Sequence, residues 1–254
     1  MLAKIFVQRD PATGEFINKN VYNAWYGFTK MGVEAESFVW SDLHAGRVAL
    51  SREAAVVGGI LAVRTALAQL GAPPPINVDY PPALERFLLR KVWRSTIRAA
   101  HGLCRDDRVE PPVFIKPVTG HKEFTGHVLA GFRDLVRTAG WALEEPETPV
   151  WLSEVVEFTA EWRYFVHRGE LVGVGHYWGD PLRAPDPAVV RAAVAAYVDA
   201  PSAYVIDFGV LADGRTALVE VNDGFAFGCY GLNPYAHAHM LASRWREMVG
   251  LDEE

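Results

Sequence analysis

Cysteine is scarce in this 254-residue chain, and its scarcity argues against two classes of small scaffold. The two cysteines, Cys104 and Cys229, lie far apart and form no CxxC pattern. A disulfide framework needs several paired cysteines, and a structural zinc site needs a cluster of thiolates and imidazoles. We therefore expect a fold that is held by its own hydrophobic core in a reducing compartment.

The chain also lacks a basic block, a long apolar run and a secretion signal. Its formal net charge is −6 at pH 7, so an electrostatic surface for nucleic acid is not expected. No apolar stretch approaches the roughly 20 residues that cross a bilayer. The first ten residues contain no apolar signal core. These absences predict a cytoplasmic protein that binds neither membrane nor nucleic acid.

The N-terminal part of the chain alternates short apolar runs with amphipathic stretches. Strands are predicted over 5–8, 35–40 and 54–57, and helices over 21–30 and 60–70. This alternation is typical of a small α/β layer with a parallel sheet. Five prolines between residues 72 and 82 mark the best domain boundary, so we divide the chain into 1–75 and 76–254.

The rest of the chain has an α+β pattern, in which strands outnumber helices. One helix is predicted over 83–101, and no motif resolves the role of its basic residues Arg90, Lys91 and Arg94. Strands are predicted over 113–116, 151–158, 161–166, 171–178, 203–211 and 216–222, and further helices over 187–200 and 234–248.

The most informative segment is 203–224, which has the pattern of a β-hairpin. Asp213-Gly214 separates two apolar strand patterns and is a strong turn signal. If this pair forms a two-residue loop, counting outward places Asp207 directly opposite Glu220. Alternation then predicts a buried apolar face that consists of Ile206, Phe208, Val210, Ala217, Val219 and Val221.

The opposite face of the predicted hairpin carries Asp207, Glu220 and Asn222. Two opposed carboxylates about 5 Å apart repel each other, so a shared proton, a basic side chain or a divalent cation must offset the repulsion. Oxygen ligands from Asp, Glu and Asn suit Mg²⁺, with phosphates completing the coordination. An ordinary hairpin with a solvated polar face is the alternative.

A lysine ends an apolar strand and precedes a glycine-bracketed loop. Lys116 closes the run 113–116, and the loop 119–126 contains Lys122. Backbone N–H groups in such a loop can approach phosphate oxygens, and the two lysines could neutralise a triphosphate. The Walker pattern is absent, and a surface turn with solvated lysines is the alternative.

An arginine lies on the polar face of the predicted strand 161–166. Glu161 and Arg163 share one strand face, shortly after the segment 153–158 with the sequence SEVVEF. The planar guanidinium suits a carboxylate or a phosphate. An ion pair between Glu161 and Arg163, of small energetic weight, is the alternative.

These pieces follow one another in a particular order: strand lysine, glycine-rich loop, EVVEF, EWR, and then D followed by ExN. Their order and spacing resemble the ATP-grasp superfamily, and most closely its R-2-K clade. The resemblance covers roughly residues 75–250, and residues 1–71 resemble the α/β domain that precedes an ATP-grasp fold.

The resemblance implies an α+β fold in which two lobes clasp ATP. It implies that Lys116 is the strand lysine and Lys122 the loop lysine, both on the phosphates. The hinge that faces adenine would consist of Glu154, Val155, Val156 and Glu157, with Glu157 or Glu154 on the ribose.

For the reacting end, the resemblance implies that Arg163 faces the γ-phosphate or an acyl phosphate, with Lys116 as the second catalytic residue. Asp207, Glu220 and Asn222 would bind Mg²⁺ or Mn²⁺. The implied reaction is ATP-dependent ligation of a carboxylate to an amine or a thiol, with an unspecified small-molecule, amino-acid or peptide acceptor. The alternatives are a phosphotransferase on the same scaffold and a catalytically silent nucleotide-binding module.

Overall fold

The computed structural model describes residues 2–75, 78–118 and 124–251. Its first sheet is parallel, with the strand order β2-β1-β3. The strands are β1 (Lys4–Arg9), β2 (Glu34–Val39) and β3 (Ala54–Val57), and the helices are α1 (Lys19–Lys30), α2 (Trp40–His44) and α3 (Ile60–Gln69). The predicted α/β layer is therefore confirmed.

The second sheet is antiparallel, with the order β4-β7-β5-β6. Its strands are β4 (Val92–Thr96), β5 (Arg108–Pro117), β6 (His127–Gly131) and β7 (Pro149–Glu154). The helices around it are α4 (Ile97–His101), α5 (Phe132–Leu135) and α6 (Ala139–Glu144), with a short 3-10 turn over Val136–Thr138.

The third sheet is also antiparallel, with the order β11-β10-β8-β9. Its strands are β8 (Phe158–His167), β9 (Glu170–Gly179), β10 (Ala203–Leu211) and β11 (Thr216–Asp223), and its helices are α7 (Pro187–Ala196) and α8 (Pro234–Val249). The side chains of Asp186 and Asn233 cap α7 and α8, and a proline occupies the first turn of each helix.

The prediction of a single helix over 83–101 is wrong. The chain forms a 3-10 helix over Pro82–Phe87, then β4, then α4. Leu89 has a φ of 51°, which interrupts any right-handed helix. The β-branched Val92 and Thr96 pair with β7, so strand pairing overrides the local helical preference.

The β10–β11 hairpin corrects two further predictions. Its loop has three residues instead of two, because Leu211 donates its N–H to the carbonyl of Arg215 at 2.8 Å. A bulge restores the predicted pairing, since Phe208 lies opposite Leu218 while Asp207 lies opposite Glu220. The bulged residue is Val219, which is part-buried and not in the core, and Leu218 takes the core position instead.

Three apolar clusters hold these layers together. The first joins the N-terminal sheet and its helices to α8 and to one face of the third sheet, so residues 2–72 share a core with the later part of the chain. The second fills the space between the other face of that sheet, α7 and the 3-10 helix. The third packs α4 and α5 against the second sheet. The largest fully buried side chains, each worth about 2 kcal/mol, include Phe6, Phe28, Phe165, Phe208 and Trp245.

The last strand of the second sheet leads directly into the first strand of the third. Only residues 155–157 separate β7 from β8, so this short segment joins the two antiparallel sheets. The two sheets consequently border a common cleft at that connection. Among the described helices, none is both long enough and apolar enough to cross a membrane.

Candidate active site

A cavity of about 590 Å³ lies between the second and third sheets, and we call it the inter-sheet cavity. Both sheets and the segment that joins them contribute to its walls. The lining residues are Tyr80, Arg90, Phe114, Lys116, Val128, Ser153, Glu154, Val155, Val156, Glu157, Phe158, Glu161, Tyr177, Trp178, Val219 and Glu220. The structure therefore brings six of the sequence-predicted site residues to one cavity.

The predicted hinge, residues 154–157, lines this cavity. The carboxylates of Glu154 and Glu157 differ in their hydrogen-bond partners. Glu154 accepts a hydrogen bond from the backbone N–H of Lys91 at 2.8 Å. Glu157 is exposed, and its backbone carbonyl accepts from the N–H of Ala212 at 3.0 Å. The Glu154 side chain is therefore engaged with the protein, whereas that of Glu157 is available to a ligand.

Lys116 projects from β5 into the inter-sheet cavity and carries two carboxylate contacts. Its Nζ lies 2.7 Å from Oε2 of Glu220 and 2.5 Å from Oδ1 of Asp79. Burial on its own lowers the pKa of Lys116, but these carboxylates outweigh burial and raise it above its usual value. The ammonium is thus firmly charged. Lys122, the predicted loop lysine, lies outside the described residues.

Arg163 on β8 forms a bidentate ion pair with Asp207, the residue directly opposite it on β10. Nε lies 2.8 Å from Oδ1, and Nη2 lies 2.7 Å from Oδ2. Asp207 is 1% exposed, so this pair is almost fully removed from water. The alternative pairing of Arg163 with Glu161 does not occur, because Glu161 instead accepts from the Tyr177 hydroxyl at 2.6 Å.

The two opposed carboxylates are therefore offset by two different cations. Burial raises the pKa of Asp207 to about 6, although Arg163 opposes the rise. Burial also acts to raise the pKa of Glu220, but Lys116 and the amide of Asn222 lower it to about 2. The repulsion predicted from the sequence is thus relieved by basic side chains, with Glu220 the more readily ionised of the pair.

The three predicted metal ligands are neighbours on β10 and β11, and Glu220 among them lines the inter-sheet cavity. Asn222 donates from Nδ2 to Oε1 of Glu220 at 2.9 Å, which leaves the Asn222 carbonyl oxygen available. Over residues 2–75, 78–118 and 124–251, no group of three or more His, Cys, Asp and Glu side chains is arranged to hold a metal ion. The oxygen donors that fit Mg²⁺ are accordingly Glu220 and Asn222, with Asp207 occupied by Arg163.

Two residues that local patterns did not select contact the site, Asp79 through Lys116 and Arg90 through β11. Asp79 reaches Lys116 from the proline-rich connection between the first two sheets. Arg90 donates to the carbonyls of Leu218 and Val219 at 2.7 and 3.0 Å, so its guanidinium holds the bulge in β11. Among Arg90, Lys91 and Arg94, whose roles the sequence left open, Arg90 alone lines the cavity. In the sequence, Asp79 is distinguished by its position between two groups of prolines, which did not indicate a role in the site.

A second cavity of about 310 Å³ lies where helices α1 and α3 begin, and we call it the helix-end cavity. Asn18, Gly58 and Gly59 lie on its N-terminal side, and the glycine-rich segment 225–228 lies on the other. Gly228, which lines the helix-end cavity, lies close to Arg163, since a Cβ built on Gly228 would lie 3.4 Å from Nη1 of Arg163.

His237 lines the helix-end cavity and is 2% exposed. Its Nδ1 lies 3.1 Å from the Nδ2 of Asn23, so Nδ1 accepts and Nε2 carries the proton. Burial lowers the pKa of His237 to about 3, which keeps the ring neutral. The cavity is therefore lined by neutral polar groups and apolar side chains.

The fold and this site define an ATP-grasp protein. The family described as the ATP-grasp domain of the R-2-K clade, family 2, matches residues 87–240, which is more than half of the chain. The chain therefore belongs to the R-2-K clade of ATP-grasp proteins. A comparison with curated protein sequences finds no match.

Solved structures show the same fold at low sequence identity. D-cycloserine synthetase DcsG aligns with a TM-score of 0.60 and 15% identity, over 95% of this chain and 99% of that one. D-alanine–D-alanine ligase from Bacillus anthracis, complexed with ATP, aligns with a TM-score of 0.52 and 15% identity, over 97% of each chain. ATP-grasp ligase PsnB, complexed with a minimal precursor, aligns with a TM-score of 0.51 and 12% identity, over 100% of this chain and 96% of that one. These matches establish the α+β ATP-grasp fold.

Proposed function

We propose that this protein is an ATP- and Mg²⁺-dependent ligase that joins a carboxylate to an amine or a thiol through an acyl phosphate. The observation that carries the proposal is the contact between Lys116 and Glu220 at 2.7 Å in a cavity between two sheets. One group suits phosphate and the other suits a metal ion. The Lys116 ammonium occupies the position of a metal ion beside Glu220, and the Glu220 carboxylate occupies the position of a phosphate beside Lys116.

In this proposal the inter-sheet cavity binds ATP. The backbone of residues 154–157 faces the adenine, and Glu157 binds the ribose, because the Glu154 carboxylate is already bonded to Lys91. Lys116 neutralises the phosphates, together with Lys122. Trp178 also lines the cavity and is 51% exposed, so it offers an aromatic surface for the base.

Glu220 and Asn222 supply the oxygen donors for the metal, and Asp207 orients Arg163. Mg²⁺, or Mn²⁺ in its place, would neutralise charge on the phosphates when it is bound. Arg163 keeps Nη1 free of any hydrogen-bond partner among the described residues, because Nε and Nη2 bind Asp207. Nη1 lies near Gly228, a residue of the helix-end cavity, and in this proposal it stabilises charge on the transferred phosphoryl group.

The proposed reaction has two steps. A carboxylate oxygen of the substrate attacks the γ-phosphorus and the bond to ADP breaks, which gives an acyl phosphate. The amine or thiol attacks the acyl carbon, the carbon–oxygen bond to phosphate breaks, and the proton of the nucleophile passes to water. The chain's own residues contribute chiefly charge neutralisation and positioning.

The helix-end cavity supports a ligase over a simple ATPase, since a second ligand bound beside Gly228 would lie near Arg163. Its volume of about 310 Å³ suits a group of amino-acid size, either a free small molecule or one residue of a peptide. Among the structural neighbours, D-cycloserine synthetase and D-alanine–D-alanine ligase are named for small products, and PsnB is named with a precursor. Both acceptor classes therefore belong in the test.

Two experiments test the proposal. Calorimetric titration with ATP should show tight binding with Mg²⁺ and much weaker binding with EDTA; equal affinities would remove the metal assignment. Incubation with Mg-ATP and mixed amino acids or short peptides should yield ADP, phosphate and a ligated product, detected by mass spectrometry. A stable phosphorylated product without ligation would instead identify a phosphotransferase, and binding without turnover would identify a silent nucleotide-binding module.

A further inference from the structure

Asp79 is a buried acidic residue in the segment that connects the first sheet to the rest of the chain. It is 4% exposed and lies between two groups of prolines, in the stretch that leads to the 3-10 helix. Its φ of 41° lies in the left-handed region, where Asp is one of the few residues that occur with any frequency. The surrounding contacts therefore hold this backbone in an uncommon conformation.

Those contacts reach both of the sheets that border the inter-sheet cavity. The carbonyl of Asp79 accepts from the N–H of Val221 at 2.8 Å, which adds a bridge to the free edge of β11. Its carboxylate binds Lys116 through Oδ1 at 2.5 Å and accepts from Nε1 of Trp151 through Oδ2 at 3.1 Å. Lys116 and Trp151 are register partners on β5 and β7. One residue thus ties the third sheet to the second at the position of Lys116.

The charges around Lys116 indicate how the contact with Asp79 affects this lysine. Its ammonium lies between two carboxylates, those of Asp79 and Glu220. If a divalent cation takes the oxygens of Glu220, it also repels Lys116, which then keeps Asp79 as its remaining partner. A lysine side chain is long and flexible, so it needs such a partner to stay in one place.

We propose that Asp79 is a positioning residue that holds Lys116 for phosphate and leaves Glu220 free to accept the metal ion. This inference rests on the proposed function of the inter-sheet cavity. Without the charge of Asp79, Lys116 has Glu220 as its sole carboxylate partner among the described residues. The metal ion must then break the ion pair between Lys116 and Glu220 without a second carboxylate that could bind Lys116.

The test is the metal dependence of ATP affinity in the Asp79→Asn variant. Calorimetry gives the dissociation constant of ATP with Mg²⁺ and with EDTA. The constant in EDTA divided by the constant with Mg²⁺ is the ratio that measures how much the metal ion strengthens binding. We expect the ratio to fall by about tenfold in Asp79→Asn, the lower end of what one charge-assisted contact contributes. Affinity in EDTA should stay level or improve, because a negative charge near the phosphates is gone.

Adenosine is the control ligand, since it has no phosphates and reports on the cleft alone. Its affinity should be the same in the wild type and in Asp79→Asn. A merely structural role for Asp79 predicts instead that adenosine and both forms of ATP weaken together, with an unchanged ratio. Asp199→Asn removes one exposed charge elsewhere and should leave every value as in the wild type.

Trp151→Phe provides a second route to the same result if Asp79→Asn does not fold. It removes the N–H that binds Oδ2 of Asp79 and keeps an aromatic ring against Tyr80. The ratio should fall in the same direction by a smaller factor, about threefold. A ratio equal to that of the wild type in the folded variant would overturn the inference.

The outcomes separate this inference from the function on which it rests. If the wild type binds ATP equally with Mg²⁺ and with EDTA, the metal assignment fails and the role of Asp79 fails with it. If the wild type shows a metal effect and Asp79→Asn retains that effect in full, the proposed function stands and the role of Asp79 alone is refuted.

Discussion

The substitution Glu220→Gln tests the proposed metal site most directly, because it keeps the shape of the side chain and removes one charge. In the structure Glu220 accepts from Lys116 at 2.7 Å and from Asn222 at 2.9 Å. These contacts favour the charged carboxylate, since they lower the pKa of Glu220 from 4.5 to about 2 against the effect of burial. The uncomplexed protein should therefore lose stability when the charge is removed.

The magnitude follows from the same pKa. At about 1.4 kcal/mol per pKa unit, the fall to about 2 favours the ionised form by roughly 3 kcal/mol. The side chain of Glu220 is 29% exposed, so solvent screens part of this energy. We expect a net loss of about 1–2 kcal/mol, which lowers Tm by a few degrees in a chain of this size.

The decisive measurement is the increase in stability that Mg-ATP gives to each protein. A ligand present at a hundred times its dissociation constant stabilises the folded protein by about 2.7 kcal/mol. If Glu220→Gln weakens binding a hundredfold, the same ligand concentration stabilises the variant by only about 0.4 kcal/mol. Melting curves of both proteins, each with and without Mg-ATP, measure the two increments.

An exposed residue supplies the matched control for this experiment. Glu170→Gln makes the same chemical change at the start of β9, where the side chain is exposed. That variant should keep the full Mg-ATP increment. If Glu220→Gln also keeps the full increment, Glu220 is not a metal ligand, whatever the change does to the uncomplexed protein.

Two further substitutions test the electrostatics around the site. Asp207→Asn leaves Arg163 buried without its charged partner, so urea unfolding should show a loss of about 3 kcal/mol or more; a loss no larger than that of Glu220→Gln would contradict the buried pair. Burial lowers the pKa of His237 from 6.5 to about 3, so below pH 6.5 the unfolded chain binds a proton that the folded chain does not. Stability is therefore complete above pH 6.5 and falls as the pH drops. His237→Gln should lose about 1 kcal/mol less than the wild type between pH 6.5 and 5.5, and identical pH slopes would refute the neutral buried ring.

Local patterns predicted much of the fold because strands and helices depend on nearby residues. β3 and β10 begin and end where alternation and apolar runs place them, and α8 extends one residue further than predicted. The pairing of Asp207 with Glu220 was also predictable, since register across a hairpin is counted along a short stretch of chain. The bulge at Val219 was not, because it depends on Arg90 binding the carbonyls beside it.

The partners of the site residues depend on packing between distant segments. Lys116 and Glu220 are separated by 104 positions and meet only because the second and third sheets close on one cavity. Asp79 joins them from a proline-rich connection whose path no periodicity describes. The helix predicted over 83–101 failed for the same reason, since pairing with β7 decides the conformation of β4. The sequence thus indicated which residue types form the site, whereas the tertiary structure decided which cation meets which carboxylate. Ion pairs between sheets form wherever packing brings the charges together, and that position is not encoded in any short window of sequence.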